Sequence, residues 1–385
     1  MTTLRAIAED ASAHRRHASG PKLPGLARYV RGLTRGLIAS APPGCDVELI
    51  LAAHPPEEVA EFESWFPGAA GTHVLPLARG PLAAAWAAGA PLTAGGGVIH
   101  APTLFAPLGK HDPALPTQVT VTVHDTIAWT HPASLGHAQA AWTRRMAHRA
   151  ASRADAIVVP THAVADQLSE LLPVADRLRV IPGAVDPELV LPEDPDVRAS
   201  WLQLPERFVL TVGSMDPRTG VDALVRAAAL PDFHGLPLLV VGDDEWHGQR
   251  ISLTAMQLGL PEGRVRALGH VGDSDLALLL SRAAAFVAPG RSAGFGLAAL
   301  EALTFGAPLV HSDAPALVEV AGGAGVAVPR SEAGSTFAER LAVAVGQVVT
   351  DAERAEKLRI AGLDRAKAYS WAESGARVWQ LHAEL

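Results

Sequence analysis

The chain has 385 residues, 49% of them hydrophobic and 19% charged, so two well-buried globular domains are expected and a disordered chain is excluded. A formal net charge of −8, without any lysine- or arginine-rich run, argues against a nucleic-acid partner. The one cysteine, Cys45, excludes an internal disulfide and fits a reducing, cytoplasmic setting.

Along the chain, Arg15, Arg16, Lys22, Arg28, Arg31 and Arg35 give the first segment a basic bias. It reads first as a solvated face and leaves open peripheral contact with the inner face of a membrane. No apolar run reaches the length of a membrane span, and the N-terminus lacks a signal-peptide pattern. Gly25-Leu26-Ala27-Arg28-Tyr29 opens a helix, and Cys45, after Pro42-Pro43-Gly44, begins a buried strand. Short apolar runs then predict strands at Val47–Leu51, Val98–His100, Val119–His124, Ala156–Val159 and Leu178–Ile181. Later strands are predicted at Phe208–Val212, Leu238–Val241, Val265–Leu268, Ala285–Ala288, Pro308–Val310 and Val326–Val328. Amphipathic stretches between them predict helices at Ala138–Ala151, Ala163–Leu172, Val221–Ala229, Asp273–Arg282 and Phe337–Val349. Helix formers dominate Ala352–Ala368 and Trp371–Leu385. This alternation predicts α/β domains with parallel sheets. The proline-rich, acidic stretch Pro182–Pro205 marks the boundary. The expected domains are residues 1–186 and 187–370.

Chemistry concentrates at the ends of predicted strands, where parallel α/β domains bind ligands. Val119–Val123 leads into His124-Asp125. A neutral imidazole there donates to a sugar hydroxyl, or else caps its loop with Asp125 fixing its tautomer. His100 is a second strand-end histidine, read first as a structural cap. The stretch Gly294-Phe295-Gly296-Leu297-Ala298-Ala299-Leu300-Glu301 reads as a glycine turn followed by a helix whose free N–H groups favour a phosphate. Glu301 sits there among alanines and leucines, where a carboxylate needs hydrogen-bond donors. A sugar diol would supply them; so would a cap or an arginine partner. Asp273 reads as the N-cap of the following helix. No strand is followed by G-x-G-x-x-G, which argues against a nicotinamide-dependent oxidoreductase.

Gly294-Phe295-Gly296 and Glu301-Ala302 resemble the donor-binding signature of retaining GT-B glycosyltransferases of the family 4 type, E-G-F-G-x-x-x-x-E-A. The resemblance runs from about Gly25 to Trp371. It takes in Val119–Thr126, Arg153–Thr161, Arg179–Asp186, Phe208–Gly220 and Leu268–Asp275. It implies two Rossmann-like domains facing each other across a cleft, with the last helix, 371–385, crossing back to the first domain. It further implies that Glu301 holds the donor ribose and that Gly294, Phe295, Gly296 and Leu297 line the donor diphosphate. Val271 reads the base through its backbone, and His124 meets the sugar. Arg218, in the loop that Gly213 and Ser214 open, neutralises the leaving diphosphate, and Gly25 faces the donor phosphates or the acceptor. Two positions depart from the pattern: Ala293 replaces the first Glu, and Thr219 replaces a Lys. The implied activity moves a sugar from a nucleotide diphosphate, such as GDP-mannose, to a saccharide or lipid-linked acceptor, with no metal and no cofactor. The alternative is a catalytically weakened or inactive GT-B protein that acts as a binding or partner subunit.

Overall fold

The computed structural model describes residues 2–11, 24–90, 92, 93, 95–110, 117–331 and 336–385; Arg15, Arg16 and Lys22 of the basic segment lie outside them. The chain divides into two compact units, Met1–Asp186 with Tyr369–Leu385, and Pro187–Ala368. Unit 1 contains β1 (Thr2–Ile7), α1 (Pro24–Ala39), β2 (Cys45–Leu51), α2 (Pro56–Ser64), β3 (Gly71–Val74), α3 (Arg79–Ala88), β4 (Val98–Ala101) and β5 (Gln118–Thr122). It continues through α4 (Ile127–Thr130), α5 (His137–Arg153), β6 (Ala156–Val159), α6 (His162–Leu171) and β7 (Leu178–Val180). Unit 2 holds α7 (Pro195–Trp201), β8 (Val209–Val212), α8 (Val221–Ala227), β9 (Leu238–Val241), the hairpin strands β10 (Glu245–Trp246) and β11 (Gln249–Arg250), α9 (Ile251–Gln257) and β12 (Val265–Gly269). After these come α10 (Asp273–Arg282), β13 (Ala285–Ala288), α11 (Leu297–Thr304), β14 (Leu309–Ser312), α12 (Pro315–Ala321), β15 (Gly325–Val328), α13 (Phe337–Thr350) and α14 (Ala352–Ala366). The last helix, α15 (Trp371–Glu384), belongs to unit 1.

Each unit is built on a parallel sheet, seven strands in the order β3-β2-β1-β4-β5-β6-β7 and six in the order β12-β9-β8-β13-β14-β15. Strands such as β6 and β9 are buried on both faces, which is why they read as unbroken apolar runs. Two strands were not legible that way. β1 alternates Leu4, Arg5, Ala6 and carries a charge, yet it lies mid-sheet between β2 and β4. Arg5 is tolerated there because its Nε donates to Glu48 on β2 at 2.9 Å. β3, Gly71-Thr72-His73-Val74, has almost no apolar signal and is the edge strand. The proline-rich stretch 182–205 also contains α7, which starts on Pro195 and exposes Val197 and Trp201. Its Arg198 clamps Asp275 of α10 through two bonds of 2.5 and 2.7 Å. The basic bias of α1 faces inward: Arg31 donates to the Ala11 carbonyl at 2.7 Å, and Arg35 to that of Trp65 at 2.8 Å. Among the described residues no helix is long and apolar enough to cross a membrane.

Helix α15 completes unit 1 by packing along α1. Trp379 Nε1 donates to the Leu37 carbonyl at 2.9 Å, and Ser374 Oγ to that of Pro182 at 2.8 Å. Its His382 joins a buried polar chain. Gln118 Oε1 can only accept, so His382 Nδ1 carries the proton of the 3.2 Å bond between them. His382 Nε2 is then an acceptor for the Thr120 hydroxyl at 3.1 Å, and His100 Nδ1 donates to that hydroxyl at 2.7 Å. His100 thus lies fully buried inside the sheet, away from any loop it could cap. Burial pushes His382 down to about 4 and His100 well below its ordinary value.

Because His382 is depressed in the folded state, the unfolded chain binds more protons as pH falls, and stability falls with it. The contribution is complete above about 6.5 and is lost progressively down to about 4, a span worth about 3 kcal/mol. Urea unfolding followed by tryptophan fluorescence at pH 7 and pH 4.5 should show this loss in the wild type. The loss should be smaller in His382→Gln. An equal pH slope in both proteins would remove His382 from the account.

Candidate functional site

In a doubly wound sheet the loops on either side of the point where strand order reverses leave in opposite directions and open a crevice at the carboxyl edge. In unit 2 that point lies between β8 and β13. The loop after β8, Gly213–Gly220, and the loop after β13, Pro289–Gly296, therefore flank it. These are the loops that hold Gly213, Ser214, Arg218, Gly294, Phe295 and Gly296.

The β8 loop is closed by its own side chains. Asp216, buried, accepts from the backbone N–H of Arg218 at 3.0 Å and lies 3.5 Å from the Arg218 guanidinium. Thr219 Oγ1 reaches the carbonyls of Ser214 at 2.5 Å and Asp216 at 2.8 Å. Where a lysine would project outward, the threonine hydroxyl ties the loop to itself. Arg218 Nε is buried with no hydrogen-bond partner among the described residues. Gly213 donates its N–H to Val241 of β9 at 2.9 Å.

Arg291 and Ser312 fasten the second loop to the first and to β14; the sequence reading did not single out either residue for a role. The Arg291 N–H donates to the Arg218 carbonyl at 2.8 Å. Its guanidinium grips Asp222 at 2.6 and 3.0 Å and the Pro217 carbonyl at 2.6 Å. Ser312 Oγ donates to the Gly290 carbonyl at 2.5 Å, and Arg330 bonds both Asp313 and the Arg291 carbonyl. The signal available was an arginine two residues before Ala293, the one charged residue of the loop Pro289–Gly296. Gly296 then enters α11 with φ of 87°, and a Cβ there would run into Leu317 of α12, so only glycine serves. Leu297 begins α11. One turn later Glu301 is 2% exposed and engaged by neighbouring groups. Ala293 is half-buried in the turn before it. Val271 is half-buried just after β12, the edge strand beyond β9. Asp273 is the first residue of α10, whose N-cap is Gly272, so it does not cap the helix as the sequence suggested.

Unit 1 has its own reversal, between β1 and β4. Asp10 follows β1, Pro102 and Thr103 follow β4, and His124 follows β5. Asp10 accepts from Arg79 at 2.6 Å and from the Thr103 hydroxyl at 2.9 Å. His124 Nε2 lies 2.7 Å from the Pro102 carbonyl, which can only accept, so the proton sits on Nε2. Nδ1 is left as an acceptor, and the ring would receive a hydrogen bond from a hydroxyl where the sequence suggested that it donates one. The Pro102 carbonyl, and not Asp125, sets the tautomer; Asp125 instead accepts from the N–H of Ile127 at 2.9 Å. Burial lowers the His124 pKa, opposed by the Pro102 bond and by the charges of Asp125 and Asp10, so the ring is neutral at pH 7. Gly25 lies exposed in the first turn of α1.

Two family profiles match the chain: Glycosyl transferases group 1 over residues 194–365, and Glycosyltransferase Family 4 over residues 24–189. The chain is 33% identical over 167 residues to O-antigen chain mannosyltransferase B of Escherichia coli, covering 43% of this chain and 42% of that protein. It is 32% identical over 240 residues to D-inositol 3-phosphate glycosyltransferase 1 of Catenulispora acidiphila, covering 58% and 56%. The chain thus matches about half the length of these relatives, or less. Among solved structures, sucrose-phosphate synthase of Thermosynechococcus elongatus superimposes with a TM-score of 0.70 at 21% identity, over 100% of this chain and 99% of that one. Anabaena HepE in complex with UDP and glucose gives 0.72 at 16%, over 100% of both chains. These likenesses show a GT-B fold.

The hydroxyl of Thr219 generates a prediction. Thr219→Val keeps the volume but leaves the Ser214 carbonyl without its donor and the Asp216 carbonyl with only the Thr219 N–H, at a cost of about 1–2 kcal/mol. Melting of the protein should drop by roughly 2–6 °C relative to wild type, while Thr219→Ser stays close to it. Equal melting temperatures for Val and Ser would show that the hydroxyl does not hold the loop.

Proposed function

The chain belongs to the family 4 glycosyltransferases, and from that premise we propose that it transfers a sugar, with retention and without a metal, from a nucleotide diphosphate to a saccharide or lipid-linked acceptor. The observation that carries the reading is Glu301: a buried carboxylate one turn into a helix that starts on the glycine turn at the carboxyl edge of a parallel sheet. In that place it accepts from a ribose diol. The helix start at Gly294–Leu297 faces the diphosphate oxygens, and a phosphate would also satisfy the Arg218 Nε, which is buried without a partner among the described residues. Val271 reads the base. His124, neutral and accepting at Nδ1, takes a hydrogen bond from a hydroxyl of the donor sugar. The leaving phosphate receives the acceptor's proton, so no enzyme base is required. Likeness to mannosyltransferases favours GDP-mannose as the donor. The proposed location is the cytoplasm or the inner face of a membrane, where a lipid-linked acceptor is presented.

A second reading rests on Ala293 and Thr219. Both replace groups that would meet charge developing as the sugar–phosphate bond breaks, while Glu301 and the glycine turn, which serve binding, are retained. A protein so altered binds a nucleotide and turns it over slowly or not at all. Steady-state transfer and hydrolysis across GDP- and UDP-sugars separate the two. Because Thr219 closes its own loop, the informative reversal is Ala293→Glu alone. Raised turnover identifies a weakened site, and lowered turnover an intact one with its own solution.

Glu301→Gln keeps the volume and loses the charge-assisted bonds to the diol. Nucleoside diphosphate affinity, read by calorimetry, should fall by roughly tenfold or more with the melting temperature nearly unchanged. A large drop in melting temperature with unaltered affinity would instead make Glu301 a structural carboxylate and remove the observation on which this function rests.

A further inference from the structure

Trp371, the first residue of α15, is 8% exposed and sits against α1 in a slot that two glycines create. A Cβ on Gly32 would fall inside the indole ring, and one on Gly36 would strike the Trp371 carbonyl. Gly375, one turn along α15, meets the backbone of Gly36 and Leu37 in the same close way. The helix has no freedom to slide in this seat, because Trp379 is bonded to Leu37 and Ser374 to Pro182.

Tyr29 lies one turn before Gly32 on the same face of α1. Its ring meets that of Trp371 edge-on, with centroids 5.3 Å apart and planes at 81°. The same ring meets the His124 imidazole edge-on at 4.5 Å and 85°. Both separations fall in the range that edge-to-face pairs prefer. His124 is therefore held from two directions. The Pro102 carbonyl fixes its Nε2, and the Tyr29 ring fixes the tilt of its plane.

We propose that Trp371 and Tyr29 are positioning residues for His124: the seated indole fixes the phenol ring, which holds the imidazole so that Nδ1 points away from Pro102 toward the carboxyl edge of the sheet. The inference rests on the reading that His124 faces a ligand there. It assigns to the C-terminal helix a role in the site as well as in the core. An unsupported imidazole would turn about its side-chain bonds, break the Pro102 bond and mix its two tautomers. Part of the population would then present an N–H where an acceptor is needed.

The test uses the full chain labelled with 15N-histidine, with His124 assigned by comparison with His124→Gln. In the wild type His124 should be a single neutral Nε2–H tautomer that titrates below the ordinary value. In Trp371→Leu it should become a tautomer mixture, titrate nearer the ordinary value and lower kcat severalfold, while nucleoside diphosphate affinity changes by less than about twofold. Trp371→Phe, which keeps an aromatic edge, should restore the wild-type signature. Val378→Ala removes buried volume from the same helix two turns beyond Trp371, with both rings retained, and should leave His124 unchanged. Where Trp371→Leu fails to fold, Tyr29→Leu breaks the link with α15 still seated and should give the same altered titration. Wild-type tautomer and titration in Trp371→Leu or Tyr29→Leu, or an equal shift in Val378→Ala, would overturn the proposal. The spectra are taken on free protein, so the positioning claim is decided even if no sugar donor binds. Failure of the donor reading would appear separately, as the absence of any His124 shift on adding nucleotide sugars.

Discussion

A parallel sheet buries its strands on both faces and leaves binding to the loops at its carboxyl edge. Both units of this protein obey that constraint, and both reverse their strand order once. The reversal separates two neighbouring loops, and everything assigned to a ligand here follows from what keeps those loops from collapsing. In unit 2 the answer is a set of side-chain-to-carbonyl bonds. Thr219 ties its loop internally, Arg291 bridges to it from the glycine loop, and Ser312 and Arg330 anchor the other side. The two arginines of these loops thus divide their work. Arg291 is bound to Asp222 and to the backbone, and Arg218 keeps a buried Nε without a partner among the described residues.

The fold was legible where burial on both faces demanded runs of small and branched apolar residues, as at Leu238–Val241 and Ala156–Val159. β1 was hidden because Arg5 finds its carboxylate on the neighbouring strand, and β3 because an edge strand need not be apolar. Glu301 was legible because a carboxylate amid alanine and leucine is chemically out of place. The loop-closing use of Thr219 was not legible, since a hydroxyl that bonds the backbone three and five residues away leaves no periodic trace. Nor was the tautomer of His124, which depends on a carbonyl 22 residues earlier.

The buried polar chain from Gln118 through His382 and Thr120 to His100 illustrates a different limit. Each hydrogen bond has its direction set by the one before it, starting from a carbonyl oxygen that cannot donate. Such an arrangement specifies one registration of α15 against β5, because a slide by one residue would leave several buried polar groups without partners. Apolar contact between α1 and α15 supplies attraction but little direction, and the polar chain adds the direction.

Unit 1 is discontinuous in the chain: it is interrupted after Asp186 and resumes at Tyr369. Its core includes Trp371, Val378, Trp379 and Leu381 alongside Tyr29, Leu33 and Leu37. During synthesis, therefore, the first half of the chain leaves the ribosome with the α1 groove open and its two glycines bare. It must wait in that state while the whole of unit 2, Pro187–Ala368, is made. Unit 2 is continuous and can mature first, although it begins later. Order of emergence and order of completion are thus reversed in this protein, and the exposed groove of the waiting half is where a holding chaperone would find apolar surface.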